Sequence, residues 1–126
     1  MIYRIMVVGI GSFLGGILRY LISGWAAEVF GAGFPYGTLI VNVVGCFIMS
    51  FVMMFGAEMG NIDVNMRLFL TTGIMGALTT FSTFSFETFQ FLREGNLFLV
   101  GTNIFLNLFL GLLSVWLGLI VARAIV

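Results

Sequence analysis

The chain is written in four long apolar blocks with short polar interruptions between them, at about 5–24, 36–56, 66–92 and 97–121. Each block is near the roughly 20 residues that a helix needs to cross the hydrocarbon of a bilayer. The pattern predicts four membrane-spanning helices in one domain over residues 1–126, with both termini on one side. The interruptions carry turn chemistry. Residues 31–35 read Gly-Ala-Gly-Phe-Pro, with Pro35 suited to the start of the second helix. Residues 58–65 form a polar loop in which Asp63 is placed to cap the third helix, and residues 93–96 form a tight turn. The third block is the longest, and a break near its middle would use up the surplus.

Within that block the pattern changes. Thr79, Thr80, Ser82, Thr83 and Ser85 are interleaved with Phe81, Phe84 and Phe86, just after Gly73 and Gly76. A lipid-facing helix has no use for so many hydroxyls. A helix interrupted inside the membrane, with its backbone facing ions, water or tightly packed protein, does. The other blocks carry stripes of small and polar residues at three- and four-residue spacing. These are Gly9, Ser12, Gly16, Arg19 and Ser23 in the first, and Thr38, Asn42, Gly45 and Met49 in the second. The fourth has Asn103, Asn107, Gly111, Ser114 and Gly118. Such glycines let membrane helices approach closely; the asparagines must pair or meet water.

Composition agrees: 61% of the residues are hydrophobic and 8% are charged, too few to cover a water-soluble domain. The net charge is zero, which gives a nucleic-acid partner no electrostatic support. Histidine is absent, so no His-based catalysis or metal ligation is open to the chain. No nucleophile–base pair suggests an enzyme, and Cys46 reads as a small packing residue. The apolar start reads as a retained span, not a cleaved signal. Arg4, Arg67 and Arg123 fall on the side of the termini, Arg19 and Arg93 nearer the other. This near-balance suits insertion in both orientations and an antiparallel homodimer; the competing reading is that a single arginine decides the topology.

The residues leave several chemistries open. Phe81 and Phe84 share a helical face, and ring edges are weakly positive. With Asn, Thr and Ser donors they would suit a small hard anion; packing is the plainer alternative. A break over residues 76–79 would free carbonyls for a hard cation such as Na⁺, or for tight packing. Arg19 either snorkels to the interface or gives a vestibule positive potential. Glu87 is a buried acid, an ion-pathway group or an arginine's partner. A proton-coupled exporter of cationic drugs would want an acid deep in the first span, where the sequence has Arg19 and no acid before Glu28.

Three motifs, Gly15-Gly-Ile-Leu-Arg-Tyr20, Gly37-Thr-Leu-Ile-Val-Asn-Val-Val-Gly45 and Gly73-Ile-Met-Gly-Ala-Leu-Thr-Thr-Phe-Ser-Thr-Phe-Ser85, together resemble the CrcB/Fluc fluoride channels. The resemblance covers all four spans in order. It implies an all-α, multi-pass protein of a prokaryotic inner (plasma) membrane, assembled as a dual-topology antiparallel homodimer with two fluoride pores. It also implies a structural Na⁺ at the dimer centre on the main-chain carbonyls of Gly76 and Thr79. Carried over by position, the pore phenylalanines are Phe81 and Phe84, the pore asparagine is Asn42 and the first-motif arginine is Arg19. Thr38, Ser82, Thr83, Ser85, Asn103 and Asn107 are candidates for the polar lining. On the fourth span Gly111 and Val115 interrupt the hydroxyl row that the resemblance leads one to expect.

Overall fold

The computed structural model describes residues 1–125, which are helical apart from short connections. Helix α1 (Ile2–Phe30) leads through a turn to α2 (Tyr36–Val52), which runs on as a π-helical stretch, Met53–Glu58. The third span is composite: α3 (Val64–Leu68), a π-helical stretch (Phe69–Met75), the single turn α4 (Gly76–Leu78) and, after a break, α5 (Phe81–Arg93). Helix α6 (Leu97–Ala124) completes the bundle. Four helical stretches, Ile2–Phe30, Tyr36–Glu58, Val64–Arg93 and Leu97–Ala124, are long and apolar enough to cross a membrane.

The connections follow the local chemistry read from the sequence. Gly31 at φ 83° and Gly95 at φ 73° take the left-handed conformation that ends α1 and reverses the chain after α5. Asp63 accepts the amides of Asn65 (2.9 Å) and Met66 (3.4 Å), and Asn96 accepts that of Leu99 (3.1 Å), so both helices begin on side-chain caps. Two boundaries differ from the reading above. Helix α1 continues to Phe30, which makes Glu28 a helical residue near its end and not part of a loop. The break falls at Thr79–Thr80, at the end of the expected 76–79 stretch and one residue beyond it, because Gly76 to Leu78 still complete a helical turn.

The interior is thin. Val41, Met75 and Leu78 form its apolar centre, with Ile22, Ile48, Met49 and Ile74 against it. Phe13, Phe98 and Leu112 point outward, which is favourable when the solvent is lipid. With little core to bury, contact between backbones holds the helices together. Gly11 and Gly73 face each other so closely that a Cβ on either would lie 2.9 Å from the other's Cα. A Cβ on Gly15 would strike the Ile74 carbonyl, and one on Gly118 would lie 2.5 Å from the Phe47 carbonyl and strike the Ser50 hydroxyl. The row Asn103, Asn107, Gly111, Ser114 and Gly118 is buried as its spacing implies, and Ala122 extends it. The stripe of α1 is met in part: Ser23 packs against Gly37, and Gly16, Arg19 and Ser23 line one cavity. Gly9 and Gly16 meet nothing within 4 Å, and the packed face is that of Gly11, Gly15 and Ala26. With glycines at 9, 11, 15 and 16, spacing alone cannot choose between two faces.

Candidate functional site

The site is built on the break. Thr79 (φ −79°, ψ 151°) and Thr80 (φ −150°, ψ 111°) are extended, a conformation that β-branched residues accept readily. An extended residue presents its own N–H and C=O on one side, and Asn42 of α2 fits that pair with its amide. The Thr80 N–H donates to Asn42 Oδ1 (2.8 Å), and Asn42 Nδ2 donates to the Thr80 carbonyl (3.3 Å). Thr80 then starts α5: its Oγ1 accepts the Thr83 amide (3.2 Å), donates to Thr83 Oγ1 (3.0 Å) and lies 3.3 Å from Ser82 Oγ.

These bonds account for two of the carbonyls that lose their helical partners at the break. In an unbroken helix the Gly76 carbonyl would accept from the Thr80 amide, and the Thr79 carbonyl from that of Thr83. Both amides are taken by side chains, Asn42 Oδ1 and Thr80 Oγ1. Gly76 is exposed and Thr79 half-buried on the surface of the single chain. Main-chain oxygens released in this way suit a hard cation. Among the described residues no group of three His, Cys, Asp or Glu side chains gathers as a metal cluster.

A polar seam runs away from the break through the bundle. Asn42 Nδ2 also donates to Asn107 Oδ1 (3.0 Å), and Asn107 Nδ2 donates to Asn103 Oδ1 and the Asn103 carbonyl (both 3.0 Å). Asn103 Nδ2 donates to Thr88 Oγ1 (2.9 Å), which donates to the Phe84 carbonyl (2.7 Å). All three asparagines thus belong to one network, and Asn103 is wholly buried. Each of these side-chain amides has a partner, and inside a bilayer an orphan would be costly. The two N–H bonds of Asn42 are both engaged inside the protein. Its first role in this structure is therefore to hold the break and join it to α6.

Cavities open on either side of Thr80. One of about 530 Å³ is lined by Asn42, Thr80, Phe81, Phe84 and Asn107 together with apolar residues of α2 and α6. Phe84 is buried and Phe81 is 77% exposed, with ring centroids 5.7 Å apart at 55°. The other, about 340 Å³, is lined by Gly16, Arg19, Tyr20, Ser23, Thr38, Thr80 and Thr83. Thr80 is common to both.

The structure thus gathers Asn42, Phe81, Phe84 and Asn107 in one place and Arg19, Thr38 and Thr83 in a second. Asn103 lies in the seam, Ser82 beside Thr80, and Ser85 in a separate cleft with Thr88. Glu87 accepts from Thr38 Oγ1 at 2.7 Å, so its partner is a hydroxyl. Reading the sequence missed the part played by Thr88 and gave Thr80 none of its own.

Comparison with known proteins adds the family. Residues 6–119 match the family described as CrcB-like protein, Camphor Resistance (CrcB). The chain is 55% identical over 118 residues to a protein of Clostridium perfringens, covering 94% of this chain and 92% of that one. It is 50% identical over 113 residues to one of Clostridium novyi, covering 90% and 88%. With one of Geotalea uraniireducens it shares 41% over 121 residues, covering 96% and 98%. All three relatives carry the name Fluoride-specific ion channel FluC. With four spanning helices in order and a match to the family over most of its length, the chain belongs to the CrcB family.

Proposed function

We propose that this protein is a fluoride-selective passive ion channel, and not an enzyme, in the plasma membrane of a prokaryote. It exports cytoplasmic fluoride through two pores of an antiparallel homodimer built around a structural Na⁺. Membership of the family and the name shared by its bacterial relatives support the fluoride channel. The observation that carries the residue-level reading is the break at Thr79–Thr80, clamped by Asn42, with a cavity on each side.

The route begins in the cavity of Arg19, whose guanidinium attracts an anion and where Thr83 and Ser23 offer hydroxyls beside Thr38, whose own proton is held by Glu87. It passes Thr80 and enters the cavity of Phe81 and Phe84. There the positive ring edges replace part of the ion's hydration without a fixed cation that would trap it. Ser82 and Ser85 supply further hydroxyls on the exposed face of α5, and the seam of Asn42, Asn107 and Asn103 keeps the wall rigid. Phe81, exposed on the single chain, is completed as a wall by the second copy. The carbonyls of Gly76 and Thr79 from each copy would hold the Na⁺, which supplies a fixed positive charge joining the two broken helices. The membrane potential drives the anion outward by about 2.3 kcal/mol per charge per 100 mV, so no fuel is needed.

The test is flux from vesicles containing the purified protein and loaded with fluoride or chloride, each followed with its own electrode. Fast fluoride release with negligible chloride release is the expected result. Equal rates for the two halides refute the selectivity.

A further inference from the structure

Helix α5 carries both rings of the pathway, yet packing does little to hold it. Phe84 is the one buried residue among its 13, and the apolar centre of the bundle contains none of them. Phe84 also lines two cavities, the one of about 530 Å³ that it shares with Asn42 and another of about 320 Å³ that it shares with Ser85, Thr88 and Ile104. With space on two sides, neighbouring atoms set no firm stop for the ring. Its place depends on where the backbone of α5 is held. Among the described residues two side-chain bonds tie α5 to other helices: Thr38 of α2 to Glu87, and Asn103 of α6 to Thr88.

Threonines in helices commonly donate to the carbonyl one turn earlier, and Thr71, Thr79, Thr88 and Thr102 do so here, to Arg67, Met75, Phe84 and Phe98. Of these hydroxyls, Thr88 alone also accepts a bond from a different helix, from Asn103 Nδ2 at 2.9 Å. The accepted bond fixes the direction of the hydroxyl, and the donated one, at 2.7 Å, ends on the main chain of Phe84 itself. Asn103 is wholly buried and is bonded onward through Asn107 to Asn42, which clamps Thr80. The start of α5 is thereby anchored at Thr80 and again at Thr88, about 12 Å further along the helix, with Phe84 midway. We infer that Thr88 is a positioning residue for Phe84: its hydroxyl carries the anchorage of Asn103 to the Phe84 main chain and so sets how far that ring reaches into the cavity. The effect on conduction rests on the pathway proposed above; the positioning does not.

The test is the pair Thr88→Val, which keeps the shape and loses the hydroxyl, and Thr88→Ser, which keeps the hydroxyl and loses the methyl. Each is made in the full-length protein in lipid nanodiscs with a single fluorine label on the Phe84 ring, read by fluorine NMR. Fluoride flux is measured on the same variants, unlabelled, in vesicles. Thr88→Val should shift or broaden the Phe84 resonance and lower flux about 3- to 20-fold, the equivalent of one hydrogen bond between membrane helices. Thr88→Ser should keep both close to native. An unmoved resonance in Thr88→Val overturns the inference and leaves the hydroxyl an ordinary helical back-bond. A change as large in Thr88→Ser as in Thr88→Val also overturns it, since the hydroxyl would then not be the cause. A resonance that moves while flux stays native upholds the positioning and refutes the pathway past Phe84.

Discussion

Replacing Asn42 by alanine removes three hydrogen bonds at 2.8, 3.3 and 3.0 Å and leaves the Thr80 N–H, the Thr80 carbonyl and Asn107 Oδ1 without partners. Side-chain hydrogen bonds in membrane bundles contribute about 0.6 kcal/mol on average and about 1.7 at most. Three of them make the clamp worth about 2–5 kcal/mol, in line with the ~1–3 kcal/mol for each buried polar group left bare. The effect is local, so it is best read at the break. Amide exchange at Thr80 should quicken about thirty-fold at the lower end of that range, since every 1.4 kcal/mol is tenfold. Amides in the middle of α6 should be unaffected. Asn42→Asp supplies the control, because a carboxylate still accepts the Thr80 N–H but cannot donate to its carbonyl. That variant keeps one of the three bonds, so Thr80 exchange should quicken less than in Asn42→Ala, and fluoride flux should fall in both. Hydrogen–deuterium exchange with mass spectrometry on protein in lipid makes the measurement. An unchanged Thr80 rate in Asn42→Ala would refute the clamp and leave Asn42 as a lining residue alone.

Further outcomes follow from the same geometry. Gly15→Ala should lower thermal stability in detergent by about 1–3 kcal/mol equivalent, because its Cβ meets the Ile74 carbonyl, while Gly9→Ala should behave as wild type. Equal melting of the two variants would count against the packing described for α1. Phe81→Ile should greatly reduce fluoride flux while gel filtration still shows a dimer; undiminished flux would remove that ring from the route. Exchange of Na⁺ for a large organic cation during purification should weaken the dimer, read as subunit dissociation on dilution in detergent. A dimer indifferent to Na⁺ would argue against the carbonyl site.

Much of the fold could be read from the residues because lipid imposes a simple rule on them. Four apolar blocks of bilayer length admit little but four helices, and Asp63, Gly31, Gly95 and Asn96 mark where three connections begin or end. The long third block with its crowd of hydroxyls announced a break. Only its far end was placed, since Gly76 looks like a helix breaker but keeps helical backbone, and the β-branched pair Thr79–Thr80 leaves the helix instead. The packed face of α1 escaped for a different reason. Which of two glycine faces meets a neighbour depends on the neighbour, and the Gly11–Gly73 contact joins residues far apart in the chain. The asparagines were recognisable as costly groups needing partners. That they partner one another follows from the register of α2 against α6, which no spacing within either helix encodes.

The interruption at Thr79–Thr80 also sets two helix ends of opposite polarity face to face within the membrane. The half ending at Leu78 terminates in carbonyls and carries about half a unit of negative charge, and the half beginning at Phe81 opens with amides and an equal positive charge. Two extended residues thus create neighbouring places of contrasting sign from backbone alone, in a chain with hardly any ionised side chains to spare. Part of the field beside the break is therefore set by peptide dipoles, which neither titrate with pH nor swing aside as an ion goes by.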